Sequence, residues 1–125
     1  MNTFVGNIDF LLDSTNSKTT PNIFDFSCIF VTPNLVFVEE LLETDIDFLQ
    51  LGLKVFHLSA DSMTYVSTLS RKCKLVSIYD LYSLALAKQE NIPIVSDCKA
   101  VLSCANAEDI AALNSTGFLH FLCPS

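Results

Sequence analysis

Polar side chains that could bind a ligand follow two apolar segments of this sequence. Asn7 and Asp9 lie at or just beyond the end of the first segment, and Ser96, Asp97 and Cys98 follow a later one. If both segments are parallel strands, these residues meet beyond the carboxyl ends of the strands, where open α/β sheets bind their ligands. The sequence therefore predicts a polar site at one edge of a sheet.

The acids and the cysteine also have structural interpretations, which stay open. Asp80 falls in the first turn of a predicted helix, where a carboxylate stabilises the helix dipole by ~0.3–1 kcal/mol. Glu40 fits a solvated helix face, and Asp97 fits a cap for the helix that follows it. Cys98 fits a small buried apolar residue as well as it fits a ligand.

Other catalytic arrangements have little support. His57 and His120 lie in segments predicted as strands, and no Ser or Cys stands near them in a recognisable catalytic setting. A Cys–His pair could still meet in the fold, because such partners are distant in sequence. The glycines are only Gly6, Gly52 and Gly117, so a glycine-rich phosphate loop is excluded.

Short apolar runs alternate with helical patterns along the chain. Strands are predicted at residues 3–8, 28–32, 53–58, 92–96 and 118–122. Helices are predicted at residues 35–42, 45–51, 59–70, 77–91 and 99–107, and residues 13–22 are predicted to form a loop. This alternation predicts a three-layer α/β domain spanning residues 1–125, with a mainly parallel sheet and helices on both faces.

The charge balance argues against a strong nonspecific grip on nucleic acid. The formal net charge is −7, from 14 acids and 7 bases. A basic footprint is therefore missing overall. Arg71, Lys72 and Lys74 form one dense cationic cluster, which is best explained as the solvated end of a helix.

The remaining features indicate a cytoplasmic protein. The five cysteines are odd in number and contain no C-x-x-C pair, so neither a disulfide framework nor a zinc site is expected. The N-terminus lacks the pattern of a signal peptide, and no apolar run is long enough to span a membrane. We therefore expect a soluble protein with reduced cysteines and no membrane partner.

Three segments carry a resemblance to a known family. Residues 77–88 place an acid at the start of an apolar, Ala-rich helix, and residues 92–101 form a strand that ends in a hydroxyl residue and an acid. Upstream, residues 31–41 read as a strand followed by an acid-bearing helix. Together they resemble the PIN-domain family, which includes many toxins of toxin–antitoxin pairs. The resemblance runs from about Phe24 to Ile110.

The resemblance implies a metal-dependent nuclease. In this family three or four carboxylates hold one or two Mg²⁺ or Mn²⁺ ions, which activate a water and cleave RNA. Glu40 matches the acid on the helix that follows the second strand, with Glu39 as a one-residue alternative, and Asp80 matches the acid that starts the long helix. The implied catalytic and metal-binding set is therefore Glu40, Asp80 and Asp97, with Asn7 as a neutral ligand.

Two positions depart from the family pattern. Asn7 stands where the first strand should end in Asp, and Asp9 and Asp13 lie close but out of register. At the end of the later strand, Cys98 takes the acid position and Asp97 the variable one. An amide is a poorer Mg²⁺ ligand than a carboxylate, and a thiol is a soft one. Asp9 and Cys98 are thus the possible substitutes for the missing acids.

Three functions follow from these observations. The first is a metal-dependent ribonuclease with reduced or lost activity, held by an antitoxin-like partner. The second is a catalytically silent PIN-like module that binds a protein or a second copy, through side chains such as Tyr65, Tyr79 or Tyr82. The third is a receiver-like switch domain, which would need adjacent acids after the first strand, and the sequence has none there.

Overall fold

A parallel five-stranded sheet forms the centre of the molecule. In the computed structural model, which describes residues 2–16 and 28–122, all neighbouring strands pair in parallel in the order β3-β2-β1-β4-β5. The strands are β1 (Asn2–Gly6), β2 (Cys28–Pro33), β3 (Lys54–Phe56), β4 (Ile94–Val95) and β5 (Ala112–Leu113). The predicted α/β class, with its parallel sheet, is confirmed.

Seven helical segments connect and cover these strands within the described residues. They are α1 (Ile8–Asn16), α2 (Asn34–Val36, continued by a π-helical turn at Phe37–Leu41), α3 (Phe48–Leu51), α4 (Ala60–Lys72), α5 (Ile78–Glu90), α6 (Lys99–Ala107) and α7 (Ser115–Leu122). Serines begin the two longest helices: the hydroxyl of Ser59 accepts from the Ser62 N–H, and that of Ser77 from the Asp80 N–H. No helix in this part of the chain has the length and apolarity needed to cross a membrane.

Alternating strand residues divide the core into two layers. On one face of the sheet, Val5, Val31 and Ile94 pack with side chains of α4, α5 and α6. On the other face, Phe4 and Phe30 pack with side chains from α1, α2, α3 and α7. Successive strand side chains point to opposite faces, so these short apolar runs serve both layers at once. The predicted helices on both faces are therefore confirmed.

A phenyl cluster fixes α1 and α7 to the sheet. The Phe118 ring lies 5.2 Å from that of Phe4, 5.3 Å from that of Phe30 and 5.8 Å from that of Phe10, centroid to centroid. The three contacts are edge-on, which is an arrangement that aromatic pairs prefer. Phe118 is only 1% exposed, so α7 is an integral part of this layer.

The prediction of a final strand at residues 118–122 is wrong. These residues, with His120 among them, belong to α7, and the last strand is β5 at Ala112–Leu113. The side-chain oxygen of Asn114 accepts a hydrogen bond from the Gly117 N–H at 2.7 Å, which is a helix cap. The cap and the burial of Phe118 outweigh the strand preference of a run rich in phenylalanine and leucine.

The first strand is shorter than predicted because a helix follows it at once. Asn7 accepts a hydrogen bond from the Phe10 N–H through its side-chain oxygen, at 3.0 Å, and so caps α1. Residues 13–16, predicted as the start of a loop, complete that helix, and the rest of the predicted loop lies outside the described residues. Gly6 permits the close turn, since a Cβ there would lie 2.7 Å from a Leu11 methyl group.

Cys73 and Cys104 form a disulfide that joins the end of α4 to α6, in contrast to the expectation of reduced cysteines. Their Cα atoms lie 6.1 Å apart, within the range that such bonds span. The two residues are 31 positions apart in sequence, and only the packing of α4 on α5 and α6 brings them together. Spacing alone could not have indicated this pair.

Candidate functional site

Asn7 and Asp80 meet at the carboxyl edge of the sheet. The Asn7 backbone N–H donates to the Val95 carbonyl at 3.2 Å, which holds the residue beside β4. Its side-chain Nδ2 donates to Oδ1 of Asp80, also at 3.2 Å, across 73 positions of sequence. Asn7 is 1% exposed and Asp80 is 9% exposed. The two predicted site residues are thus directly bonded in a buried setting.

Burial raises the pKa of the Asp80 carboxyl above its ordinary value. Hydrogen bonding to the side chains of Asn7 and Ser77 opposes this shift, and the nearby charge of Asp9 adds to it. Asp9 itself is exposed, in the first turn of α1. The edge therefore holds one buried carboxyl, one buried amide and one exposed carboxylate.

Glu39 and Glu40 lie on the π-helical turn, close to the side chain of Tyr79. A hydrogen bond to Glu39 is the main cause that raises the pKa of the Tyr79 hydroxyl, and the charge of Glu40 contributes. Glu39 is exposed and Glu40 is half-buried. The role of Tyr79 as a partner for the acids of α2 is one that the sequence analysis missed. The position of Tyr79 directly before Asp80, in a predicted helix, was the only sign in the sequence that Tyr79 lies near the site.

Asp97 holds the start of α7. Its Oδ1 accepts from the Ser115 N–H at 2.8 Å and from the Ser115 hydroxyl at 3.0 Å. This contact resembles the capping role that the sequence left open, although the helix it serves is α7 and not the helix that follows Asp97 directly. The catalytic assignment of Asp97 stays a prediction.

Ser96 and Cys98 form a tight turn between β4 and α6. The buried Ser96 hydroxyl accepts from the Cys98 N–H at 3.0 Å, and the Ser96 N–H donates to the Leu113 carbonyl. Cys98 is half-buried, packs against the α4–α6 side of the core, and makes no side-chain cap for α6. These contacts fit the small apolar role that the sequence left open for Cys98, and its role as a substitute for a missing acid stays a prediction.

The residues at this edge fit Mg²⁺ or Mn²⁺ poorly as they stand. Within residues 2–16 and 28–122, no three His, Cys, Asp or Glu side chains come together in a group that could hold a metal ion. Moreover, the Asn7 amide directs its hydrogens at Asp80, and an N–H donor repels a cation. Hard divalent cations need several oxygen ligands, and one Asp80 oxygen is already taken.

Comparison with known proteins bears on the fold. No protein-family model matches the chain, and no curated protein does either. Among solved structures, the chain is similar to one described as the structure of FitAB bound to an IR36 DNA fragment. The identity is 12% over 89% of this chain and 94% of that one, with a TM-score of 0.59. This likeness concerns architecture alone, and it supports the PIN-like fold that the sequence predicts.

Proposed function

We propose that this chain is a PIN-like domain in which a protein hydrogen bond replaces the metal centre, so that it acts by binding a protein partner and not by cleaving RNA. The observation that carries the proposal is the buried bond between the Asn7 amide and the Asp80 carboxylate. In a nuclease of this class, clustered carboxylates repel one another until cations join them. Here the amide satisfies Asp80 without a cation.

The hydrogen bonds that two of the predicted acids already make support the proposal. A hydrogen bond to a charged group stabilises a protein by about 1.5–3 kcal/mol, and the bond from Asn7 already uses Oδ1 of Asp80. Asp97, which would supply a further carboxylate, is engaged with Ser115. A cation would therefore have to use the second oxygen of each carboxylate or displace an existing contact. The resemblance to PIN nucleases then describes the scaffold and not the reaction.

A calorimetric Mn²⁺ titration tests the proposal on three proteins: the parent, Asn7→Asp and Asp80→Asn. We expect no binding to the parent or to Asp80→Asn. Asn7→Asp should bind, since it removes the N–H donors and adds a third carboxylate beside Asp80 and Asp9. Without metal, this variant should lose roughly 1–3 kcal/mol of stability, from the lost hydrogen bond and the like charges.

Saturable Mn²⁺ binding by the parent that Asp80→Asn abolishes would contradict the proposal. It would favour the second candidate, a metal-dependent ribonuclease of reduced activity. The specific observation behind that candidate is the charge of Asp9 close to Asp80, which leaves two carboxyl groups at the edge. RNA cleavage by the parent that a chelator stops, and that Asp80→Asn removes, would establish it.

A further inference from the structure

Four exposed apolar side chains are concentrated in the segment that contains α2 and α3. Val38, Leu42, Leu49 and Leu51 are 56%, 60%, 53% and 38% exposed. They make up half of the eight large apolar side chains that are exposed in the described part of the chain, and all four fall between residues 38 and 51. We call these four residues the α2–α3 surface. Such a concentration marks a site of interaction more often than scattered exposure does.

A cleft of about 310 Å³ is lined in part by two residues of this surface, Leu42 and Leu49. Its lining comes from α2, α3 and the connection between them: Phe37, Leu41, Leu42, Thr44, Asp45, Ile46, Asp47, Phe48 and Leu49. Phe48 and Leu41 are fully buried, so they give the cleft a fixed apolar floor. The volume is at the lower end of the range of about 300–1,000 Å³ for binding pockets, which suits the side chains of a docked segment.

The charged side chains of the segment that carries this surface are acidic, and the exposed Lys54 follows that segment. Residues 34–53 contain five acids, Glu39, Glu40, Glu43, Asp45 and Asp47, and no lysine or arginine. Four of these acids are exposed and Glu40 is half-buried. An apolar surface with an acidic border is complementary to a ligand that carries apolar side chains flanked by positive charges.

We infer that the α2–α3 surface docks a cationic amphipathic segment of a partner protein, with apolar side chains in the cleft and lysine or arginine side chains against the acids. The inference rests on the proposed protein-binding function and gives the chemistry of its partner. A second copy, docked through the same face, would place like charges together, and the acids would repel RNA phosphates. The exposed tyrosine face that the sequence predicts is not formed, because Tyr65, Tyr79 and Tyr82 are half-buried.

A synthetic helical peptide of leucine and lysine, labelled with a fluorophore, is the probe. Fluorescence anisotropy should show saturable binding to the parent, weakening as salt rises. Leu42→Ser combined with Leu49→Ser should weaken binding by about tenfold or more, since both leucines lose apolar contact. The matched control is Leu75→Ser, because Leu75 is 92% exposed and lies outside the surface. The Leu75→Ser variant should bind the peptide with the same affinity as the parent.

Charge is tested with a second matched pair. Glu43→Lys should weaken peptide binding several-fold, whereas Glu90→Lys makes the same change of net charge far along the chain, at the end of α5, and should have little effect. Thermal melts of all variants confirm that they fold. Equal weakening by both lysine variants would show attraction to net charge alone and would overturn the inference.

Two other results would also overturn it: binding that survives the double leucine change, and binding of a leucine–glutamate peptide that matches the cationic one. Light scattering addresses a second copy as the occupant. A dimer that the double leucine change dissociates would assign the surface to self-association and refute the docking of a cationic segment. Because the variants of the Mn²⁺ titration, Asn7→Asp and Asp80→Asn, lie outside this surface, failure of that test and failure of peptide binding are separate results.

Discussion

A single atom at position 7 distinguishes this edge of the sheet from a cluster of acids. As Asn, the residue presents both an acceptor, which caps α1 through the Phe10 N–H, and a donor, which reaches Asp80. An Asp there could cap the helix as well but would have no hydrogen for Asp80. The amide therefore serves two structural purposes that a carboxylate could not combine without a cation.

Tyr65 offers a test of stability at the level of one hydroxyl group. Its O–H donates to Glu108 at 2.7 Å, and this bond is the main cause that lowers the pKa of the Glu108 carboxyl. Tyr65→Phe should cost about 1 kcal/mol at neutral pH. A lowered carboxyl pKa gives stability that is present above the ordinary pKa and is lost as pH falls through the lowered one. The difference between parent and variant should therefore shrink in acid.

Thermal melts of both proteins near neutral pH and in strong acid measure this difference. Lys72→Ala provides the control, because Lys72 is 58% exposed and its ion pair with Glu108, at 3.5 Å, should contribute only about 0–1 kcal/mol. A gap between parent and Tyr65→Phe that does not change with pH would show that the charge of Glu108 is unimportant to the bond.

At the scale of elements, the start of α7 depends on the side chain of Asp97, which follows β4. Asp97→Ala should destabilise the protein by about 1 kcal/mol, because Ser115 loses its acceptor. Asp97→Asn keeps a side-chain oxygen and should cost less. Urea unfolding of the two variants compares them. If Asp97→Ala unfolds at the same urea concentration as the parent, the Asp97 carboxylate is not needed to begin α7.

The elements that the sequence predicted well are those with a local signal. Ser77 at a cap position and a wide apolar stripe mark α5, and α6 has the predicted bounds. α7 was missed because its cap, Asn114, precedes an apolar run that suits a strand equally well. β5 has two residues, too few for any periodicity.

The same distinction applies to the site. Asn7 and Asp80 are in contact, and the sequence indicates a place for each of them at the site. The end of the first strand indicates the place of Asn7, and the family pattern indicates that of Asp80. The engagement of Asp97 requires α7 to be in place, and the contact of Tyr79 with the acids of α2 requires the packing of two helices. Such tertiary contacts leave no trace in a single sequence.

At the scale of the whole molecule, Phe118 ties the C-terminal helix to the centre of the sheet. Phe118→Ala should cost about 3–5 kcal/mol, since it removes a fully buried ring and leaves a cavity among Phe4, Phe10 and Phe30. Phe121→Ala, at a site that is 49% exposed, should cost much less. Denaturant unfolding of the parent and both variants makes the comparison, and a Phe118→Ala midpoint equal to that of the parent would mean that the Phe118 ring is dispensable for the core.

The placement of β1 between β2 and β4 also has a consequence for biosynthesis. Val5 pairs with Val31 on one side and with Ile94 on the other, so the centre of the sheet joins the beginning of the chain to a segment made much later. As the chain leaves the ribosome, β1 can pair with β2 early, but its second edge has no partner until residue 94 has emerged. Unpaired strand edges invite pairing with other chains. The nascent chain therefore carries an unpaired edge of β1 from the synthesis of β2 until β4 has emerged.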